Sequence, residues 1–142
     1  MTLNVLVVDD SAVMRAMIIK SLNLSGLPLG QIYQAANGEE GLRALRSNWI
    51  DLALVDINMP VMNGEEMIEE VRRNSELRDL AIIVVSTESS EARIEMLERH
   101  GTKFVHKPFA PETLRETIQK LIGVSDERQV GNGAAQSSGY DF

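Results

Sequence analysis

The sequence predicts an α/β protein: a five-stranded parallel sheet with helices on both faces. Three observations carry this. Short runs of apolar, often β-branched residues alternate five times with segments of helical length. One run, "AIIVV", holds no polar residue, which suits a strand covered on both faces. Helix-start and helix-stop residues fall between the runs where such a plan needs them.

The first strand is Leu3–Val8, followed by Ala12–Leu24, a helix-length segment with a broad apolar face. Gln31–Ala35 is a short second strand. Asn37 can cap the helix in "NGEEGLRALRSN", with Glu40 three residues on as in a capping box. Asp51–Val55 is the third strand. Asn63 can cap the helix that puts Met67, Ile68 and Val71 on one stripe. Ala81–Val85 is the fourth strand. Ser89 or Ser90 starts a helix that stops at His100 and Gly101. Lys103–His106 is the fifth strand. Pro111 stands at a first helical position, ahead of a face made by Leu114, Ile118, Leu121 and Ile122. Crossovers between parallel strands are right-handed almost without exception.

The 142 residues suit one core. The predicted domain is 1–123. The remainder, 124–142, is rich in Gly, Ser and Gln and reads as a flexible tail, with docking through Tyr140 and Phe142 as the other reading. With no cysteine, disulfides, thiolate catalysis and Cys-type zinc sites are excluded. A net charge of −7 disfavours nucleic acid or an anionic membrane as partner. The opening "MTLNVL" lacks a basic stretch, and no apolar run approaches the ~20 residues that span a bilayer, so a cytoplasmic location is expected.

In open α/β sheets, ligands bind beyond the carboxyl ends of the strands. Strand one ends in Asp9 and Asp10, strand three in Asp56, strand four in Ser86 and Thr87, and strand five in His106 and Lys107. Three carboxylates repel one another. One lysine and one divalent cation bring the sum to zero, and hard oxygen donors with room for water suit Mg²⁺, or Mn²⁺ in its place. Such a site can grip a phosphoryl group: Lys107 pairs with one oxygen, and the Ser86 hydroxyl donates to another. Asp56, alone on its strand, is the candidate phosphoryl acceptor, which leaves Asp9 and Asp10 to hold metal. Each residue also has an ordinary reading. Asp9 and Asp10 could cap a helix, Asp56 could turn the chain, Ser86 could cap, and Lys107 could be a surface charge. Four such coincidences at one sheet edge are a poor account of the set.

The order "VVDDS … LVDINMPVMNG … VVSTE … FVHKPF" closely resembles the receiver domain of two-component response regulators, over Leu3 to about Ile122. The resemblance implies a flavodoxin-like strand order 2-1-3-4-5. It implies that Asp56 is the phosphoacceptor and that Asp9, Asp10, Asp56 and the Asn58 backbone carbonyl ligate Mg²⁺. It also makes Ser86 the switch hydroxyl and gives a cis Lys107–Pro108 bond. Phe104 falls at the family's aromatic switch position, and reads equally well as a core aromatic. Asn58 and Glu88 would flank the path of an attacking water and tune phosphate lifetime. That pair looks like the chemotaxis-type regulators, which implies fast autodephosphorylation. The implied protein is a stand-alone, monomeric signalling receiver rather than an enzyme, catalysing only its own phosphorylation and dephosphorylation. A sensor histidine kinase would supply the phosphate. An output protein would read the surface Ser90–Ile122, spanning the fourth helix, fifth strand and fifth helix.

Three rivals share parts of this pattern. A phosphorelay intermediate, passing phosphate on to a histidine phosphotransfer protein, would use the same residues and differ in partner and lifetime. A haloacid-dehalogenase-like phosphatase wants D-x-D at the end of its first strand. A flavodoxin-type binder wants a Ser-, Thr- and Gly-rich loop there, where this chain has two carboxylates.

Overall fold

A computed structural model describes residues 2–123. The chain runs β1 (Leu3–Val8), α1 (Ala12–Leu24), β2 (Leu29–Ala35), α2 (Gly38–Ser47), β3 (Leu52–Val55), α3 (Gly64–Arg73), β4 (Ala81–Ser86), α4 (Glu91–Glu98), β5 (Lys103–His106) and α5 (Pro111–Ile122). All strands are parallel, in the order β2-β1-β3-β4-β5. The flavodoxin-like order is the one observed. The tail readings, flexible or docked, fall on residues outside those described. No helix among the described residues is long and apolar enough to cross a membrane.

The element boundaries differ from the sequence reading where side chains replace ladder bonds. β2 begins at Leu29, ahead of Gln31, because the β1–β2 register shifts between Leu3 and Val5. There Asn4 Oδ1 accepts from the Gln31 N–H at 2.8 Å, bridging the irregularity. β3 begins at Leu52, and Asp51 serves as a cap instead. Its carboxylate accepts from the Asn4 N–H at 2.9 Å and from Trp49 Nε1 at 3.1 Å. Asn63 and Glu66 form a full capping box at α3. At α2 the box is half made: Asn37 accepts from the Glu40 N–H, while the Glu40 carboxylate takes the Ala36 N–H. Ser90 is the cap of α4 and Ser11 that of α1.

The sheet divides the apolar interior in two. Leu6, Val8, Ala53, Val55, Ile82 and Val84 join Met67, Ile68, Val71 and Leu97 on the side of α2, α3 and α4. Val5, Val7, Leu52, Leu54, Ile83 and Val85 join Ile18, Leu22, Leu114 and Ile118 on the side of α1 and α5. This is the two-residue alternation of a strand with both faces covered. Arg72 staples the α3 side. Its guanidinium donates to the carbonyls of His100 (2.6 Å), Arg78 (2.9 Å) and Leu80 (2.8 Å).

Trp49, 79% exposed, stands just before β3 at the amino end of the sheet. Its fluorescence is expected to be indifferent to Mg²⁺ and to acetyl phosphate. Strong quenching by either would mean that a change at the carboxyl edge reaches the opposite end of the sheet.

Candidate functional site

The carboxyl edge of the sheet collects the predicted side chains. β1 delivers Asp9, whose N–H still donates to the Ala35 carbonyl of β2 at 3.1 Å. β3 delivers Asp56, held by its own N–H to the Val8 carbonyl at 2.9 Å. The two acids therefore stand side by side on neighbouring central strands. Asp9 is almost fully buried, Asp56 nearly so, and Asp10 is exposed. One carboxylate oxygen from each of the three lies within 4.8 Å of the others. Capping does not explain Asp9 or Asp10, because Ser11 accepts from the Met14 N–H at 3.1 Å and caps α1 itself. Asp9 Oδ1 instead accepts from the Ser11 N–H at 2.9 Å.

Lys107 reaches in from β5. Its Nζ lies 2.9 Å from Asp9 Oδ2 and 3.8 Å from Asp56 Oδ1. Its N–H donates to the Ser86 carbonyl at 2.9 Å, and the Lys107–Pro108 bond is cis. Asp56 Oδ1 also accepts from the Ile57 N–H at 2.9 Å. Burial nevertheless raises the Asp56 carboxyl above its usual range. Lys107 and the Ile57 N–H oppose that rise, while Asp9 and Asp10 add to it. The four side chains sum to −2, and the one lysine is shared between two carboxylates.

Three hard oxygen donors, one of them open to water, fit a cation that keeps part of its hydration, which is the habit of Mg²⁺. Mg²⁺ at a hundredfold excess over its Kd is expected to stabilise the fold by about 2.7 kcal/mol. Asp10→Asn should blunt the accompanying rise in melting temperature, read by calorimetry with and without chelator. An unchanged rise in that variant would remove Asp10 from the ion's surroundings.

Ser86 is fully buried, and its Oγ accepts from the Glu88 N–H at 3.2 Å. Asn58 is exposed just past Asp56. The Glu88 carboxylate is committed elsewhere. It accepts from the Ser89 and Ser90 N–H groups at 3.2 and 3.0 Å and pairs with Arg93 at 3.0 Å. Its carboxyl is held below the usual range, first by the Ser90 N–H and then by Arg93. The expected Asn58–Glu88 pair around a water path is thus not what the Glu88 contacts describe. Phe104 packs partly buried against the α3 side of the core, its ring 5.0 Å and edge-on from that of His106.

Sequence reasoning missed three features. Arg15, one turn into α1, donates to the Asp9 carbonyl at 2.5 Å and to Gln34 Oε1 at 2.9 Å, fixing the strand end from behind. Gly64 opens α3 against the backbone of Asp56 and Ile57. A groove of about 540 Å³ runs beside the site between α1 and the segment after β5, lined by Met14, Met17, Leu24, Thr87, Lys107 and Phe109. An α1 helix apolar on nearly every side was the available signal: Val13, Met17 and Leu24 are 71%, 55% and 60% exposed.

Comparison with known proteins agrees with this architecture. The profile of the response regulator receiver domain matches residues 5–119. The chemotaxis protein CheY1 of Helicobacter pylori is 35% identical over 126 residues, covering 87% of this chain and all of that protein. A chemotaxis protein CheY homolog of Campylobacter jejuni is 33% identical over 136 residues, covering 94% of this chain and all of the homolog. The solved structure of Vibrio cholerae chemotaxis protein CheY4 superposes with a TM-score of 0.76 at 33% identity, covering 86% of this chain and all of that one.

Proposed function

The chain belongs to the response regulator receiver domain family, and from that premise we propose that Asp56 accepts a phosphoryl group from a histidine kinase in a chemotaxis-type pathway. One observation carries the reading: three carboxylates within 4.8 Å of one another, with the ammonium of Lys107 between two of them. Asp9, Asp10 and Asp56 would hold Mg²⁺, together with the Asn58 carbonyl. When bound, the ion screens the carboxylates and offsets charge on the phosphoryl oxygens.

In the transfer, an Asp56 carboxylate oxygen forms the new bond to phosphorus as the bond from phosphorus to the donor's imidazole nitrogen breaks. The imidazole leaves with that electron pair and is protonated from solvent. Lys107 pairs with a phosphoryl oxygen in place of a carboxylate one. The Ser86 hydroxyl, which accepts from the Glu88 N–H in this structure, turns from it to donate to a second phosphoryl oxygen. Asn58, exposed next to the acceptor, is the residue we assign to the water path for hydrolysis.

The output surface in this reading is α4, β5 and α5. α4 supports it, since Leu97 is its one fully buried residue and the helix is thinly anchored. The α1 groove, continuous with Lys107, gives a donor protein an apolar place to rest beside the acceptor. A cytoplasmic location goes with this function.

Incubation with acetyl phosphate and Mg²⁺ tests the proposal. The intact mass should rise by one phosphate, and chelator should prevent it. A protein that stays unlabelled under these conditions would overturn the acceptor assignment.

A further inference from the structure

Arg93, in the first turn of α4, joins three separate parts of the chain. Nη2 donates to Glu65 Oε1 at 2.5 Å, and Nη1 donates to Glu88 Oε1 at 3.0 Å. Glu65 lies in the first turn of α3, next to Gly64, which rests on the Asp56 backbone. Glu88 is two residues past Ser86. Its N–H donates to Ser86 Oγ, and its second carboxylate oxygen takes the Ser89 and Ser90 N–H groups that lead into α4. A continuous chain of bonds therefore runs from Ser86 through Glu88 and Arg93 to Glu65. The side chains of Arg93, Glu65 and Glu88 are 32%, 24% and 18% exposed, so water screens these pairs less than it screens open surface pairs.

Little else holds this part of the molecule. Val13 and Met17 show that apolar surface is tolerated elsewhere, but α4 has only Leu97 fully buried, near its carboxyl end. Its amino-terminal half is tied to the body by the Arg93 bridge and by the short loop 87–90. When Ser86 turns to a phosphoryl oxygen, the Glu88 N–H loses its acceptor and the loop must shift. Glu88 cannot follow without stretching its pair to Arg93, which Glu65 anchors to α3.

We propose that the Glu65–Arg93–Glu88 bridge is a latch that holds loop 87–90 and the start of α4 in the unphosphorylated position, with Arg93 as its positioning residue. This rests on the reading of Asp56 and Ser86 given above and adds to it the element that resists the switch. A latch of this kind stores no signal of its own. It sets how far the resting equilibrium lies from the active state, and so how much of the phosphoryl contact energy goes into moving α4.

Two measurements on the full chain separate the latch from the acceptor assignment. Amide exchange needs no phosphate. In Arg93→Ala, amides of 87–95 are expected to exchange about three- to tenfold faster than in wild type, the range that a partly screened ion-pair network supports. The amides of β1 and β3 should not change. Arg93→Lys, which can keep one pair but not the fork, should fall between. Labelling by acetyl phosphate with Mg²⁺ is the second readout. Arg93→Ala and Glu65→Gln should each label faster than wild type, and the double variant should be no faster than Arg93→Ala alone, as expected for two ends of one interaction. Added salt should speed wild type and leave Arg93→Ala unmoved. Wild-type exchange in Arg93→Ala, or strictly additive labelling effects, would overturn the latch. A wild type that exchanges as expected but never labels would overturn the acceptor reading and leave the latch standing.

Discussion

Asp56→Asn is expected to lose all labelling by acetyl phosphate and, in metal-free buffer at neutral pH, to melt at a higher temperature than wild type. The first effect follows from the chemistry, because an amide oxygen is too weak a nucleophile to take a phosphoryl group. The second follows from the cost of the charge. Burial raises the Asp56 carboxyl above its ordinary 3.8, and Asp9 and Asp10 push the same way. A carboxyl with a higher pKa in the folded protein binds more protons folded than unfolded across the interval between the two values. Stability therefore falls as pH rises through that interval, and the cost is complete above the folded pKa. Asparagine carries no such cost. The variant should melt higher than wild type at neutral pH, and the difference should vanish toward and below pH 3.8. Mg²⁺ should reverse the order, since it stabilises wild type more. A variant that labels, or one that melts lower than wild type without metal, would contradict the charge accounting of the site.

Gly64→Ala is expected to destabilise the fold by about 2–3 kcal/mol, a value typical of overpacking against backbone that cannot move. Gly64 is the first residue of α3, and its N–H donates to the Ile57 carbonyl at 2.9 Å. A Cβ built there would meet Ile57 Cα at 2.9 Å and the Asp56 carbonyl carbon at 3.0 Å, with the Asp56 carbonyl oxygen closer still. No side-chain rotation relieves contacts with main chain. Either α3 lifts away from the end of β3 or Asp56 moves. The first loses packing of Met67 and Ile68, and the second displaces the acceptor. Chemical denaturation would give the stability change, and calorimetric Mg²⁺ titration should show weaker binding. A variant with wild-type stability and wild-type Mg²⁺ affinity would show that the helix start yields freely.

Much of this was legible in the sequence because strand period, caps and strand-end acids are local signals. Asp9, Asp56 and Lys107 sit at the ends of apolar runs, and parallel pairing of those runs places them together. Ser86 was legible for the same reason. What escaped is tertiary. Nothing near Arg93 says that Glu65, 28 residues away, will be its partner. The resemblance placed Glu88 beside the path of an attacking water, and nothing local announced that the amides at the start of α4 and the fork of Arg93 would engage its carboxylate. Nor does anything near Gly64 in the sequence show that it needs space against the backbone of Asp56 and Ile57. The shift that starts β2 early depends on Asn4, a side chain of a different strand.

The two-sided interior has a consequence for how news of a charge could travel. Asp9, Asp56 and Lys107 continue the alternation that faces α1 and α5, whereas Ser86 and Phe104 belong to the opposite rank, with α3 and α4. Between the ranks stand the central strands β1, β3 and β4, a close-packed wall mostly of valine, leucine and isoleucine. Such a wall neither conducts nor bends easily. The wall can be skirted at its rim, where the Lys107 N–H donates to the Ser86 carbonyl at 2.9 Å and a single backbone hydrogen bond joins one rank to the other. The sheet is then a bulkhead with a door in its upper edge, and the rim residues of β4 and β5 are the door.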